Sequence, residues 1–530
     1  MYRLLYDKSD PSVYGEWEPI KYRFQHLPVH IALLHTGKVL AFGGSGNDPK
    51  YLDDPFPAEI FEPDEIGKQN GKVYVISNEG IQGDVFCSGH AFLPDGKLLV
   101  AGGTYKYDNS LFGIPIPPFR GLEHSYLFDP LSLNWQRMPN MGSTRWYPTC
   151  IMVPDGSVVV MAGLTKGFPW VFLNKIEVFS PKREWATLKD ADRWLPLYPR
   201  LHLLPNGEIF YTGSYNTHYT FPFSVTSFPS SALNTKTGKW RIIGNPHNLK
   251  REEGTTVILP LTPPGYTAQV LLIAGGTLQG KDAISNVEKI DFSENDPKYQ
   301  DFEPLKHPRY YAYPVILPDK SILVLGGKSG QKGHLHDDST HHHQHQHHHP
   351  EDGMEHHPED IEHHPDAVLE PELLDPKTNK WIPMADMKVD RLYHANALLL
   401  PDGRVMTAGS NPQRTENELR IEIFKPPYLF RGKRPMIDKV QQEVKHGDEL
   451  EIETPDAETI QEICLIRPTV TTHCVNTEQR YVGLKFLRKS GSMLQAPIPT
   501  NKNLIPPGYY MLFILDNDAI PSIARFIRLS

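Results

Sequence analysis

The sequence predicts an all-β protein, in which a seven-bladed β-propeller is followed by a β-sandwich. Two observations lead to this prediction. Of the 530 residues, 40 are Gly and 49 are Pro, and such frequent breakers favour short strands joined by turns over long helices. A motif of two apolar runs around a tight turn occurs seven times, and the pattern changes near residue 425.

Each copy of the motif is typical of the two inner strands of a propeller blade. In GHAFLPDGKLLVAGG, which starts at Gly89, two apolar runs flank an Asp-Gly turn and a pair of small residues follows. Asp-Gly between apolar runs indicates a hairpin, because Gly tolerates the positive φ that tight turns need. The seven copies start at His30, Gly89, Tyr147, Tyr198, Gly254, Arg309 and Arg391.

Further strands complete each repeat. A third strand that ends in a turn and Trp follows most copies, as in DPLSLNW at 129–135. Four strands at a period of about 50 residues are typical of a kelch-type propeller. We therefore expect the propeller to span 1–424, with the N-terminal segment GEWEPI (15–20) completing the last blade. Residues 425–530 are expected to form an immunoglobulin-like β-sandwich.

Charge and hydropathy exclude several classes of protein. With 54 Lys and Arg against 63 Asp and Glu, the net charge of −9 has the wrong sign for nucleic acid or an anionic membrane surface. No stretch approaches the roughly 20 apolar residues of a membrane span. The start of the chain lacks the apolar segment of a signal peptide, and the sequence does not determine the cellular compartment of the protein. Four cysteines are too few for a disulfide scaffold, and the sequence leaves open whether Cys464 and Cys474 pair.

Residues at the starts of the innermost strands are candidates for a site, because a propeller brings them together at one end of its axis. They are Cys87, Tyr147, Tyr198, Tyr310 and the pair Tyr393–His394. A thiol, phenols and an imidazole in one place could bind a metal ion. Alternatively, the aromatic rings only fill the channel, and Cys87 is an inert buried thiol.

This series resembles the copper radical oxidases, galactose oxidase and glyoxal oxidase, from about residue 15 to the end of the chain. The segment RPTVTTHCVNTEQR (467–480) is similar to the hairpin that bears the last copper histidine of that family. The resemblance implies a protein-derived radical cofactor in which Cys87 is thioether-bonded to Tyr147. It also implies one copper ion, with a ligand from the C-terminal domain. The implied ligands are Tyr147, Tyr393, His394 and His473.

The resemblance implies an oxidase in which Cys87, Tyr147 and Tyr393 are catalytic, with Tyr393 as the general base. It would oxidise a small aldehyde or primary alcohol by two electrons and reduce O₂ to H₂O₂, as a monomer with no bound organic cofactor.

Galactose oxidase places a Trp over the cross-linked ring where this chain has Thr165. Trp170 is a candidate for that stacking role or an ordinary loop residue, and Trp146 is more similar to glyoxal oxidase.

Two other functions compete with the oxidase. One is a kelch-type binding scaffold with a vestigial metal site, which would not need the complete set of site residues. The other is a copper-storage or delivery protein, suggested by a tract that holds 13 of the 25 histidines between residues 334 and 364.

The histidine-rich tract lies in an insertion at 333–366 in the sixth repeat. We expect it to be a disordered loop because it is polar and low in complexity. Whether it captures copper or is neutral stays open.

Overall fold

The computed structural model describes residues 8–530 except 67, 69, 108–109, 112–113, 116–118, 168–171, 214–227, 250, 277–282, 331–362, 413–415 and 490. The described chain is almost entirely strand and turn, with helical turns at Pro11–Tyr14, Pro49–Tyr51 and Pro427–Phe430. None of the helices in these residues is long and apolar enough to cross a membrane. The all-β class predicted from the repeats is confirmed.

Seven antiparallel sheets form the blades of the propeller, numbered one to seven in chain order of their inner strands. The first two strands of each blade form a hairpin, and nearly all their residues are buried. Innermost strands pack together between blades two and three, three and four, five and six, and six and seven, and those of blades one and seven also meet. The hairpins are His30–Leu33 with Val39–Phe42, Gly89–Phe92 with Leu98–Ala101, Thr149–Met152 with Val158–Met161, Leu201–Leu203 with Glu208–Tyr211, Thr255–Ile258 with Gln269–Ile273, Tyr313–Ile316 with Ile322–Leu325, and Asn396–Leu399 with Val405–Ala408.

Two outer strands complete each blade. The outermost strand of blade seven is the N-terminal Glu16–Trp17, which pairs with Glu422–Lys425. The propeller is thus closed by joining the two ends of its chain in one sheet. The outer pairs are Glu59–Glu62 and Lys72–Val75, Ser125–Asp129 and Asn134–Arg137, Glu177–Phe179 and Trp185–Thr187, Ser230–Asn234 and Lys239–Gly244, Val287–Asp291 and Tyr299–Phe302, Glu372–Asp375 and Lys380–Pro383, and Glu422–Lys425 with Glu16–Trp17.

Buried ion pairs join the loop before a blade to the third strand of that blade. Arg145 lies 2.8 Å from Glu177 in blade three, and Arg309 lies 2.6 Å from Glu372 in blade six. Corresponding pairs join Arg251 to Glu288 and Arg391 to Glu422. Each arginine also donates to backbone carbonyls, as Arg145 does to Ala162 at 2.6 Å. Buried charges of this kind need such partners, and here they fix the loops at the inner strand starts.

The C-terminal part of the chain forms two sheets and sends one hairpin into the propeller. Its strand Val470–Thr471 adds to blade one, with Ile31 opposite Thr471 and Ala32 opposite Val470. The four-stranded sheet contains Lys439–Val440, Glu449–Glu453, Leu487–Arg488 and Met493–Pro497. The five-stranded sheet contains Glu443–Val444, Glu462–Ile466, Tyr481–Leu484, Gly508–Leu515 and Arg525–Leu529. The inserted hairpin places residues 472–475 on the propeller axis, beside the starts of the inner strands.

Two short hairpins lie between the second and third strands of blade two. Thr104–Tyr107 pairs with Phe119–Gly121, and Ser110–Leu111 pairs with Ile114–Pro115 between them. All four cysteines are buried and free, so Cys464 and Cys474 do not pair.

Candidate active site

One residue just before the innermost strand has left-handed backbone geometry in six of the seven blades. The φ angles are 62° at Cys87, 61° at Tyr147, 44° at Tyr198, 55° at Glu253, 59° at Tyr311 and 60° at His394. Non-glycine residues rarely adopt this geometry, and such strain clusters at functional sites. The strained turns are tied to one another by backbone bonds: Tyr147 N–H donates to the Cys87 carbonyl, and Tyr198 N–H to the Tyr147 carbonyl, both at 3.0 Å.

The Tyr147 side chain lies between residues from two other blades. Its hydroxyl hydrogen-bonds the hydroxyl of Tyr393. Burial raises the pKa of both phenols well above the usual value. Burial also raises the pKa of the Cys87 thiol, although a hydrogen bond with Tyr147 opposes this shift. A thiol and two phenols are therefore held together in a dry environment that keeps all three protonated.

Two histidines reach the same place from different parts of the chain. The rings of His394, from blade seven, and His473, from the C-terminal hairpin, have centroids 4.6 Å apart at 84°. The Cys87 sulfur lies 3.7 Å from His473 Nε2, and the ligand atoms of all three residues lie within 4.8 Å of one another. The Tyr393 ring lies 4.0 Å from that of His394 and 5.4 Å from that of His473. Two imidazoles and two phenols thus converge.

Arg200 anchors the histidine of the C-terminal hairpin to the propeller. Its side chain is almost fully buried and donates to the carbonyls of His473 at 3.2 Å, Tyr198 at 2.7 Å and Gly254 at 3.1 Å. His473 itself has a φ of 48°. A fixed guanidinium with three carbonyl acceptors holds this strained turn against two blades at once.

Thr472 orients the His473 ring. Its Oγ1 lies 2.6 Å from His473 Nδ1 and 2.7 Å from His30 Nδ1, and it donates to the Val29 carbonyl at 3.2 Å. A Thr472 hydroxyl that donates to Val29 accepts from the His473 ring, and in this arrangement the ring proton is on Nδ1. This tautomer leaves the Nε2 lone pair of His473 directed into the site.

Aromatic rings from neighbouring residues and from another blade surround the Tyr147 ring. Trp146 stacks on it with a centroid distance of 3.6 Å and an interplanar angle of 12°, and Phe119 stacks on Trp146 at 4.3 Å and 8°. The Tyr198 ring lies 4.4 Å from Tyr147, and its hydroxyl donates to the Ser88 carbonyl at 2.8 Å. Trp170, a predicted stacking candidate, lies outside the described residues.

The structure differs from the predicted ring of residues in blades five and six. Tyr311, not Tyr310, occupies the left-handed position of blade six, and its ring lies 5.0 Å from that of Tyr393. Tyr310 instead pairs through its backbone with Lys328. In blade five the position is taken by Glu253, a fully buried carboxyl group that sequence reasoning missed. The sequence feature that could have predicted this residue is the charged segment REEG (251–254), which leads into the fifth repeat.

The predicted histidine-rich insertion falls mostly outside the described residues. Its C-terminal end is placed on the propeller: His363 Nδ1 lies 2.7 Å from Asp390 Oδ1, and the backbone N–H of His364 donates to Asp390 Oδ2 at 2.6 Å. These contacts fix the point at which the insertion rejoins the third strand of blade six.

The chain is similar in sequence to known oxidases. Residues 434–529 match the family described as "Galactose oxidase-like, Early set domain". The chain is 26% identical to "Aldehyde oxidase GLOX" of Vitis pseudoreticulata, over 97% of both chains. It is also 26% identical to "Galactose oxidase" of Gibberella zeae, over 84% of this chain and 61% of that protein.

A solved structure shares the whole fold. It is titled "Novel fungal alcohol oxidase with catalytic diversity among the AA5 family, in complex with copper", is 23% identical, and covers 98% of this chain and 100% of its own with a TM-score of 0.75. The predicted resemblance to this group of oxidases is confirmed. The relatives are named as an aldehyde oxidase and a galactose oxidase, which supports an oxidoreductase.

Proposed function

We propose that the protein is a copper radical oxidase that converts a small aldehyde or primary alcohol with reduction of O₂ to H₂O₂. The observation that supports this most directly is the convergence of Cys87, Tyr147, Tyr393, His394 and His473 in one buried site. A binding scaffold would have no need to bring a thiol, two phenols and two imidazoles together.

The donor set fits copper. Two phenols whose pKa values are raised by burial can ionise only if a cation replaces their protons. Phenolate oxygens and imidazole nitrogens are ligands suited to Cu(II). Tyr147, Tyr393, His394 and His473 would hold the ion, with His473 binding through Nε2 because Nδ1 is committed to Thr472.

The side chains supply the rest of the chemistry. Removing two electrons from an alcohol or aldehyde needs two one-electron acceptors; bound copper supplies one and the Tyr147 ring, bonded to the Cys87 sulfur, supplies the other. Tyr393 would take the proton of the substrate hydroxyl as a general base. The Cys87–Tyr147 radical would take the hydrogen atom from the substrate carbon.

The proposed substrates are small. The site residues are almost fully buried, at 0% to 4% exposure, and aromatic rings border Tyr147. A relative that matches over nearly the full length of both chains is named an aldehyde oxidase. We therefore favour simple aldehydes and alcohols over galactose.

A peroxide screen tests this function. The purified protein is loaded with copper in air, and peroxide is measured with a coupled peroxidase across a panel of aldehydes, primary alcohols and galactose. We expect peroxide from small aldehydes or alcohols, and none from a His473→Ala variant. Absence of peroxide from copper-loaded, cross-linked protein across the whole panel would reject the oxidase and favour the scaffold.

A further inference from the structure

A column of aromatic rings leads from Tyr147 towards the protein surface. Trp146 stacks on Tyr147, Phe119 stacks on Trp146, and Tyr107 meets Phe119 edge-on at a centroid distance of 5.2 Å and 64°. Trp146, Phe119 and Tyr147 are buried, whereas Tyr107 is partly exposed. The column therefore joins a buried phenol of the site to a phenol that solvent can reach.

The outer end of this column has its own proton acceptor. The Tyr107 hydroxyl lies 2.6 Å from Ser45 Oγ, and Ser45 Oγ donates to Asp84 Oδ2 at 2.6 Å. Asp84 is 1% exposed and also accepts from the backbone N–H groups of Ser45 and Phe86. Oxidation of a phenol releases its proton, so a phenol linked through one hydroxyl to a carboxylate is suited to losing an electron and a proton together.

The strand that bears Tyr107 presents positive charge to solvent. Lys106 is exposed and lies opposite Arg120 in the hairpin that ends at Gly121. Cations beside Tyr107 favour the approach of an anionic partner to an otherwise acidic protein.

We propose that Tyr107, Phe119 and Trp146 form a relay through which a one-electron oxidant in solution converts the Cys87–Tyr147 cofactor to its radical state. The relay rests on the proposed function, since it requires a redox-active Cys87–Tyr147 pair. It assigns Tyr107 as the site of contact with the oxidant, and Ser45 and Asp84 as the proton route.

The steps balance in electrons and protons. When Asp84 is ionised, the external oxidant takes one electron from Tyr107, while the phenol proton passes to Ser45 and the Ser45 proton passes to Asp84. The Tyr107 radical then takes one electron from the Tyr147 phenolate across Phe119 and Trp146, and recovers its proton by the reverse transfer. The net result is that the oxidant gains one electron and the Tyr147 phenolate becomes a neutral phenoxyl radical.

A Tyr107→Phe variant separates this role from packing. Phe keeps the ring that contacts Phe119 but cannot be oxidised as a phenol is. Tyr105→Phe is the matched control, because Tyr105 is on the same strand, is 41% exposed and contacts Lys166. Copper-loaded protein, shown by intact mass to carry the cross-link and chemically reduced to the non-radical state, is mixed with ferricyanide. The growth of phenoxyl absorption is followed by stopped flow.

We expect radical formation in Tyr107→Phe to be slower by about tenfold or more, with turnover of the fully oxidised enzyme unchanged. Tyr105→Phe should match the wild type in both measurements. Radical formation in Tyr107→Phe at the wild-type rate would overturn the relay and leave the oxidase intact. Cross-linked wild-type protein that never forms a radical would instead overturn the proposed function, and the relay with it.

A second variant tests the proton route. Ser45→Ala keeps the oxidisable phenol and removes the hydroxyl between Tyr107 and Asp84. We expect a solvent isotope effect on radical formation in the wild type, and both slower radical formation and loss of this isotope effect in Ser45→Ala. A wild-type rate and isotope effect in Ser45→Ala would overturn the assignment of Ser45 and Asp84.

Discussion

Trp146 covers the ring of Tyr147, the residue that follows it in the chain, with ring centroids 3.6 Å apart and planes 12° from parallel. The left-handed turn at Tyr147 makes this contact between sequence neighbours possible, because it folds the second ring back beneath the first. A buried indole in this position restricts access of water to the phenol ring and stabilises it by aromatic contact.

Replacing Trp146 with Phe should leave the fold intact and shorten the life of the radical. In the described part of the chain the indole N–H of Trp146 has no hydrogen-bond partner, so the smaller ring loses stacking area but no bond. Since an aromatic pair contributes about 0.5–1.5 kcal/mol, we expect the phenoxyl absorption to decay up to about tenfold faster. Trp185→Phe, in an outer strand, is the control. Equal decay in Trp146→Phe and wild type would show that the stack does not protect the radical.

Cys87 should become linked to Tyr147 when the protein meets copper and oxygen. Thioether formation removes two hydrogens, so the intact mass should fall by about 2 Da. Cys87→Ser should lack this loss, whereas Cys150→Ser, at another buried free thiol, should retain it. Peptide mass spectrometry locates the bond. Wild-type protein that turns over substrate with an unmodified Cys87 would contradict the proposed cofactor.

Variants at His473 and Tyr393 should separate metal binding from proton transfer. His473→Ala removes an imidazole ligand, and we expect loss of both tight copper binding and turnover. Tyr393→Phe leaves two imidazoles and Tyr147, so much of the copper should remain while turnover falls, because the proposed base is gone. Copper content after dialysis and peroxide production are measured, with His446→Asn, in the turn after the strand Glu443–Val444, as control. Wild-type turnover in Tyr393→Phe would remove Tyr393 from its proposed role.

The fold could be predicted because its signal is local. Each inner hairpin is specified by two short apolar runs and the turn between them, and in the copy at Gly89 the strands Gly89–Phe92 and Leu98–Ala101 lie where those runs lie. The repeat then fixes the number of blades. None of this depends on contacts between distant segments.

The details of the site depend on distant contacts and on single-residue register. RYYAYP at 309–314 offers adjacent tyrosines, and only the left-handed turn at Tyr311 decides which of them faces Tyr393. Glu253 and Thr472 are ordinary polar residues in the sequence. Their importance follows from burial on the axis and from the C-terminal strand that pairs with blade one, which periodicity does not show.

Asp84 should make the protein less stable as the pH rises towards neutrality. Burial raises the pKa of this carboxyl from 3.8 to about 7, although bonds from Ser45 and Phe86 oppose the shift. Between about pH 4 and pH 7 the folded protein keeps a proton that the unfolded chain releases, so the free energy of unfolding falls as the pH rises through this window. Asp84→Asn should flatten that dependence.

Thermal unfolding of both proteins at pH 5 and pH 8 measures the effect. The difference in melting temperature between the two pH values should be smaller in Asp84→Asn than in the wild type. Asp95→Asn, in the turn before Lys97, should behave as the wild type. An unchanged pH dependence in Asp84→Asn would show that this carboxyl does not titrate in the window.

Thr472 should control how tightly copper is held. Its Oγ1 lies 2.6 Å from His473 Nδ1 and so orients the ring with Nε2 towards the Cys87 sulfur, 3.7 Å away. Loss of a hydrogen-bond partner of a ligand histidine typically weakens metal binding by about 10–100-fold, and we expect this loss in Thr472→Val. Competition against a chelator of known affinity measures it without reference to turnover. Thr477→Val is the control. Thr477 lies close to Thr472 in the chain, and its hydroxyl donates to the Cys150 carbonyl of blade three. Copper affinity in Thr472→Val equal to that of Thr477→Val would show that the His473 ring is oriented by its backbone and by Arg200 alone.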